Sequence, residues 1–367
     1  MNCEGLKVLI AAGGTGGHIY PGIAVAKEIQ RCGGIVRFVG TARGIEAKIV
    51  PENGFELSFI ESFGLKNVGF WRKFKGILIL PKSFFQAWRL IRKFNPDVVV
   101  GAGGYVSGSV LLTACLMKLP TLVMESNALP GFTNRILAPF VTKAALTFEQ
   151  ASSFFGKKGL VTGNPVRREF FEIKPKSRDN NLVSVLIFGG SQGSKAINDA
   201  VIEALPYLKE YQNKFKLTHQ TGEKDFERVL EAYQTAGWEN FEVFRYIQNM
   251  PKFFAEHDLI VSRAGATTCA ELAAAGKASI MIPLPTAADD HQRKNAEALQ
   301  KAGATQMILQ KDLNGKILAE KIIELASSPE KITEMERAIK KFAKPDATEI
   351  VARLIVELGR KKPCFAT

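Results

Sequence analysis

One stretch limits the fold more than any other. Val8 to Ala12 is a continuous apolar run that stops at Gly13-Gly14-Thr15-Gly16-Gly17. A short apolar run bounded by turn residues reads as a buried strand. Glycines at its end allow positive φ and let a backbone come close to a ligand. From Tyr20 to Cys32, Ile23, Ala26 and Ile29 share one helical face, and Pro21 suits the first turn of that helix. A strand, a glycine turn and a helix N-terminus make a site for anions or sugar hydroxyls, with His18 at its mouth.

Spacing excludes two common uses of such a turn. Dinucleotide folds need Gly-x-Gly-x-x-Gly and an acidic residue about 20 positions on. Here the third glycine is missing, and the second strand, Ile35 to Val39, runs into Gly40-Thr41-Ala42-Arg43 with no carboxylate. No Gly-Lys-Ser/Thr follows, so the turn is not a P-loop.

The same unit recurs along the chain. After a short helix at 43–50 and a strand at 56–60, Asp97 to Val100 forms a strand ending in a second glycine turn, Gly101 to Ser109, which opens a helix through Met117. Thr121 to Met124 and Ala144 to Phe148 are further strands, with a helix from Leu129 to Leu137 between them. Composition shifts between Lys157 and Asn181, marking a domain boundary. Then Val183 to Phe188 leads into Gly189-Gly190-Ser191-Gln192-Gly193-Ser194 and a helix with Ile197, Val201 and Leu205 on one face. Strands follow at 216–221, 241–244, 259–262, 278–282 and 305–309, with helices between and after them, one at 292–302. A chain of 367 residues has room for two such domains, each with its own core. Both halves read as doubly wound α/β units with ligand-binding turns at strand ends.

The net charge of +13 calls for an anionic partner: nucleic acid, a phosphorylated substrate or an acidic membrane face. Much of that charge lies in one place. From Ser62 to Asn95 there is no acidic residue, while Lys66, Arg72, Lys73, Lys75, Lys82, Arg89, Arg92 and Lys93 alternate with large apolar groups. Ser83 is placed to cap a helix running to Phe94, with Phe84, Ala87, Trp88, Leu90, Ile91 and Phe94 on its inner side. Cations over an aromatic and aliphatic base, at Phe70, Trp71, Lys73, Phe74, Lys75, Ile79, Phe85, Arg89 and Arg92, match an interfacial membrane-binding surface. An ordinary core helix with a solvated basic face and a nucleic-acid surface are the alternatives. No stretch is apolar enough to span a membrane; the longest, Val106 to Met124, is interrupted by Lys118 and Pro120. The N-terminal apolar run is too short for a signal peptide, so a cytoplasmic protein attached to a membrane surface is expected. Cysteines at 3, 32, 115, 269 and 364 form no Cys-x-x-Cys and read as free thiols in a reducing compartment. Histidines at 18, 219, 257 and 291 show no metal-ligand spacing.

Six stretches in order resemble the MurG family, the membrane-associated GT-B glycosyltransferases (family 28) of peptidoglycan synthesis. They are Gly13 to His18, Gly101 to Ser109, Gly163-Asn164-Pro165-Val166-Arg167, Gly189 to Gly193, Ser262 to Thr267 and Asp290-His291-Gln292. The resemblance runs almost end to end. It implies two Rossmann-like parallel-sheet domains facing a cleft: residues 1–165 for acceptor and membrane, with a C-terminal helix at about 346–367 returning to that domain, and residues 166–345 for the donor. The implied reaction is inverting transfer of N-acetylglucosamine from UDP-GlcNAc to the C4 hydroxyl of N-acetylmuramoyl-pentapeptide on undecaprenyl diphosphate, which turns lipid I into lipid II. Implied partners are UDP-GlcNAc, lipid I, an anionic membrane at the cytoplasmic face and other cell-wall synthesis enzymes. No cofactor, metal or nucleic acid is implied.

Site residues carry over position by position. Thr15, Gly16 and Gly17 would line the cleft near donor sugar and acceptor, Asn127 would contact the GlcNAc, and Arg167 the donor. Ser191 and its loop would hold the diphosphate, and Ile247 would meet uracil through its main chain. Ala266, Thr267, Thr268, Cys269, Ala270 and Glu271 would cradle the nucleotide, with Glu271 on the ribose hydroxyls, a natural partner for a vicinal diol. Gln292 and Asn295 would bind GlcNAc hydroxyls. His18 is the candidate base, since a helix N-terminus keeps an imidazole neutral; Glu125 is its rival. The chain departs from the family at Met124-Glu125-Ser126-Asn127, where His-Glu-Gln-Asn is common, and at Gln248-Asn249, where acids are common. Competing functions are a diacylglycerol glycosyltransferase, a UDP-GlcNAc 2-epimerase, an RNA-binding protein and a nicotinamide dehydrogenase.

Overall fold

The structure, a computed structural model, describes residues 1–62, 70–175, 182–287 and 290–360, and of 70–80 only the backbone. Lys66, Asp289, Cys364 and positions 176–181 of the expected boundary lie outside the described residues, as do the side chains of Phe70, Trp71, Arg72, Lys73, Phe74, Lys75 and Ile79. The chain divides into two compact units, Met1–Arg167 with Lys344–Thr367, and Arg168–Ala343.

Unit 1 is built on seven parallel strands: β1 (Lys7–Ala12), β2 (Ile35–Gly40), β3 (Glu56–Phe59), β4 (Val98–Gly103), β5 (Thr121–Glu125), β6 (Lys143–Leu146) and β7 (Gly159–Val161). Their order is β3-β2-β1-β4-β5-β6-β7. The chain winds outward from β1 to β3, then restarts on the other side of β1 at β4, so the switch point lies between β1 and β4. β4 is buried along its whole length and β1 from Val8 onward, as expected for a parallel sheet covered on both faces. The helices are α1 (Gly16–Arg31), α2 (Glu46–Glu52), α3 (Phe70–Phe94), α4 (Tyr105–Leu116), α5 (Phe132–Leu137) and α6 (Ser152–Phe155). Right-handed crossovers put α3, α4 and α5 on the face opposite α1 and α2. Their inner sides, including Ile91, Leu111 and Leu137, meet Leu9, Val99 and Val123 of the sheet in one core.

Three sequence expectations are corrected in unit 1. Helix α1 begins at Gly16, four residues early, because Thr15 takes the extended N-cap conformation. His18 therefore lies inside the first turn and Pro21 inside the helix, where it adds no N–H to the ladder. Ser83 is no cap; it lies within α3 and donates its hydroxyl to Ser109 Oγ of α4 at 3.0 Å. Trp88 is not on the inner side: it is 40% exposed, stacked on Phe85 and lying under the Arg92 guanidinium.

Unit 2 repeats the plan with β8 (Val183–Phe188), β9 (Phe215–Gln220), β10 (Phe241–Phe244), β11 (Leu259–Ser262), β12 (Ala278–Met281) and β13 (Gln306–Met307). The order is β10-β9-β8-β11-β12-β13, again all parallel, with the switch point between β8 and β11. Its helices are α7 (Lys195–Leu208), α8 (Phe226–Thr235), α9 (Met250–Glu256), α10 (Ala266–Ala275), α11 (His291–Lys301), α12 (Gly315–Ala326) and α13 (Pro329–Lys340). Val201, Leu205, Leu217, Val261, Ile280, Leu318 and Ile322 belong to its core. The last helix, α14 (Ala347–Arg360), belongs to unit 1; it packs on α1, and Thr348 Oγ1 donates to the Val166 carbonyl at 3.1 Å.

Candidate active site

In unit 1 the glycine turns after β1 and β4 lie side by side at the switch point. Ser107 ties them: its hydroxyl lies 2.9 Å from the Ala11 carbonyl and 2.8 Å from that of Gly103. Both Gly103 and Gly104 have positive φ, and neither has room for a Cβ, which would strike the His18 ring from the first and the Gly13 carbonyl from the second. The imidazole thus packs on bare backbone. His18 is half-buried, and that burial holds its pKa below the ordinary value, against the opposing field of Glu125 and a hydrogen bond with the Ala102 carbonyl. A neutral ring in this position is able to accept a proton.

Two carboxylates brace this corner. Glu46, fully buried, accepts from Thr41 N (3.0 Å), Thr41 Oγ1 (2.7 Å) and Gly14 N (3.2 Å), binding the glycine turn to the β2–α2 connection. Glu125, also buried, accepts from Asn127 N (2.8 Å), Asn127 Nδ2 (3.0 Å), Gly131 N (2.9 Å) and Asn134 Nδ2 (2.8 Å). Four donors share its two oxygens, so the carboxylate shapes the loop from β5 to α5. Thr15 is exposed, Gly16 buried and Gly17 half-buried. Arg167 is buried, with its guanidinium 4.4 Å from the centre of the Tyr20 ring of α1.

In unit 2 the turn after β8 carries Ser191, half-buried, between Gly190 and Gly193, both with positive φ. Ser194 caps α7 by accepting from Ile197 N. Behind the turn stands Arg263, which donates to Ser194 Oγ (2.7 Å), Gln310 Oε1 (2.7 Å) and the carbonyls of Ile282 (3.0 Å) and Pro283 (3.2 Å). Among the described residues its partners are these hydroxyl, amide and carbonyl oxygens rather than a carboxylate, and burial pushes its pKa down to about 10, still well charged at neutral pH. Gln220 joins two more pieces: its amide donates to the Gly190 carbonyl at 2.7 Å, and its Oε1 accepts from Ile247 N at 3.0 Å.

Residues 266–271 are the first six of α10, with Glu271 buried and the Cys269 thiol pushed up to about 12 by burial. Asn295 Nδ2 donates to the Ala264 carbonyl at 3.1 Å, and Gln292 Oε1 accepts from Leu284 N at 3.0 Å. The sequence-derived residues thus fall into three sets. Thr15, Gly16, Gly17, His18, Glu125, Asn127 and Arg167 lie in unit 1, and Ser191, Ile247, 266–271, Gln292 and Asn295 in unit 2. Phe85, Arg89 and Arg92 stand exposed on α3 of unit 1. Sequence reasoning missed Glu46, Gln220 and Arg263. The signals were a carboxylate shortly after β2, beyond the segment where an acid was sought, and the place of Arg263 inside the Ser262 to Thr267 stretch, which was given no role of its own.

Two parallel sheets, each with glycine turns at its switch point, define the architecture of GT-B glycosyltransferases. Residues 8–146 match the Glycosyltransferase family 28 N-terminal domain, and residues 184–351 match the Glycosyltransferase family 28 C-terminal domain. The chain belongs to glycosyltransferase family 28. A relative from Anaeromyxobacter dehalogenans (strain 2CP-1) is 44% identical over 362 residues, spanning 97% of this chain and 94% of the relative. Its name is UDP-N-acetylglucosamine--N-acetylmuramyl-(pentapeptide) pyrophosphoryl-undecaprenol N-acetylglucosamine transferase. The protein of the same name from Myxococcus xanthus is 44% identical over 96% of this chain and 93% of its own length. Among solved structures, Acinetobacter baumannii MurG is similar with a TM-score of 0.71 and 32% identity, covering 96% of this chain and 99% of that one.

Proposed function

We propose that this chain transfers N-acetylglucosamine from UDP-GlcNAc to the C4 hydroxyl of N-acetylmuramoyl-pentapeptide carried on undecaprenyl diphosphate, with inversion at the anomeric carbon. The observation that carries the reading is the end-to-end likeness to relatives named for that transfer. The acceptor hydroxyl oxygen attacks C1 of GlcNAc, the bond from C1 to the diphosphate oxygen breaks, and UDP leaves as the anion. His18 takes the hydroxyl proton, a role supported by its depressed pKa at the unit 1 switch point. Glu125 positions Asn127 and the loop rather than acting as base, since its oxygens already accept four hydrogen bonds.

On the donor side, Ser191 and the turn around it hold the diphosphate, with the Arg263 charge behind them. Ile247 meets uracil through its carbonyl, because its N–H is already given to Gln220. Glu271 takes the ribose hydroxyls, while Gln292 and Asn295 bind the sugar. Thr15 to Gly17 line the acceptor side, and Arg167 contacts the donor. The enzyme works at the cytoplasmic face of the membrane as a peripheral protein. Its basic α3 face supports this, and among the described residues no helix is long and apolar enough to cross a membrane.

The test is transfer of labelled GlcNAc to a short-chain lipid I analogue, with and without a chelator, beside His18→Ala. Transfer should survive the chelator, and His18→Ala should lower kcat by about 10²–10⁴ with UDP-GlcNAc affinity unchanged. Full activity in the variant would remove His18 as base. Tight donor binding without transfer would move the acceptor elsewhere.

A further inference from the structure

Helix α5 and the turn after it are apolar on both sides. Leu137, Ala138 and Val141 are buried in the core of unit 1, with Asn134 buried beside them. Phe132, Ile136 and Phe140 recur every four residues on the other side, 62%, 50% and 59% exposed. A surface helix with one face in the core ordinarily turns polar residues outward, whereas here large apolar residues recur on the outer side as well. Single exposed apolar residues need no explanation, but an aligned row of them marks an interaction surface. This row does not stand alone. It lies on the outer side of the layer formed by α3, α4 and α5, which also exposes Phe85 and Trp88 of α3 and Leu116 at the end of α4.

The exposed charge carried by this segment has one sign. Arg135 stands exposed between Phe132 and Ile136. Lys158 Nζ donates to the carbonyls of Ala138 (3.2 Å) and Pro139 (2.6 Å), which sets a cation at the C-terminal end of the helix, beside Phe140. Lys118 is exposed just after α4. From Ser126 to Phe148 the chain carries no carboxylate at all. A second copy of a protein of net charge +13 would present like charge to this face, whereas an anionic lipid surface complements both its charge and its apolar ridge.

We propose that the Phe132–Ile136–Phe140 ridge seats in the leaflet of an anionic bilayer, making α5 a second membrane-contacting element beside α3. This rests on the proposed lipid-linked acceptor. The ridge also has a fixed relation to the chemistry. Gly131 N, at the N-cap of α5, and Asn134 Nδ2 both donate to Glu125, whose field reaches His18. Seating α5 therefore sets the height of the His18 turn above the lipid surface.

The experiment uses the full chain and the triple variant Phe132→Ser, Ile136→Ser, Phe140→Ser. Binding is measured by co-sedimentation with phosphatidylglycerol vesicles and with phosphatidylcholine vesicles. Transfer is measured to a long-chain acceptor in the anionic vesicles and to a water-soluble short-chain acceptor. Partition onto the anionic vesicles should fall by about tenfold or more, with a parallel loss of transfer to the embedded acceptor. Transfer to the soluble acceptor should not change, which also shows that the variant is folded. Ile136→Trp should raise the partition. Unchanged partition in both variants would overturn the proposal. So would a change in oligomeric state with vesicle binding intact, which would assign the ridge to a second copy. Absence of soluble-acceptor transfer in the unaltered protein would instead defeat the proposed reaction.

Discussion

The glycine turns after β1 and β8 occupy the same topological place in the two sheets, yet opposite charges support them. In unit 1 the buried carboxylate of Glu46 takes the Gly14 N–H, and Glu125 gathers the neighbouring loop. In unit 2 the buried guanidinium of Arg263 holds Ser194 and two carbonyls after β12. A carboxylate behind a turn uses up backbone donors and disfavours a bound anion. A guanidinium behind a turn leaves the backbone donors free and favours one. One supersecondary plan thus carries supports of opposite sign, and on the proposed reaction the first turn would serve a neutral hydroxyl and its base, the second a diphosphate.

The sharpest way to break this contrast is Arg263→Met. It removes the charge and leaves the Ile282 and Pro283 carbonyls without their donor. UDP-GlcNAc binding should weaken by about 2–3 kcal/mol, roughly 30- to 150-fold, measured by calorimetry. Arg263→Lys should recover part of that loss, while the KM for acceptor stays put. Donor affinity unaltered in Arg263→Met would show that the charge serves folding alone.

Glu46→Gln tests the other side and should have a smaller effect. The amide still accepts from Thr41 through its oxygen, but its NH₂ then faces the Gly14 N–H. A loss of about 1–2 kcal/mol is expected, appearing as a drop in kcat of about 5- to 30-fold. Donor affinity should stay constant. A loss confined to UDP-GlcNAc binding would contradict the assignment of the two turns.

These supporting residues are the part of the site that sequence patterns do not carry. The strands were legible because parallel strands buried on both faces are plain apolar runs, as in Val98-Val99-Val100. The turns were legible because glycine breaks those runs. Glu46, Gln220 and Arg263 follow no periodicity. Glu46 finds its Gly14 partner 32 positions away and Arg263 its Ser194 partner 69 positions away, distances that only the folded sheet closes. Trp88 misled for a related reason: its helical position pointed inward by hydropathy, but Arg92, one helical turn further on, lies over its ring at the surface. The α5 ridge escaped notice because a ten-residue segment apolar on both sides shows no amphipathic contrast.

Burial lowers a histidine in each unit, and pH separates the two. His18, in unit 1, is depressed while facing Glu125. His219, in unit 2, is fully buried, lies 3.0 Å from Asn198 Oδ1 through Nε2, and is pushed down to about 3 despite Asp225. Its folded pKa lies far below its unfolded value, so between the two the unfolded chain binds the extra proton and stability falls as pH falls. Up to about 1.4 kcal/mol per pH unit is lost this way below pH ~6.5. His219→Gln should remove that component, seen as a flatter dependence of denaturation midpoint on pH between about 6 and 4 relative to the unaltered chain. The acid limb of kcat/KM should belong to His18 instead, falling below the ordinary histidine range and keeping its position in His219→Gln. A limb that moves with His219→Gln would mean that the two histidines titrate together, and the separation of a catalytic from a structural histidine would fail.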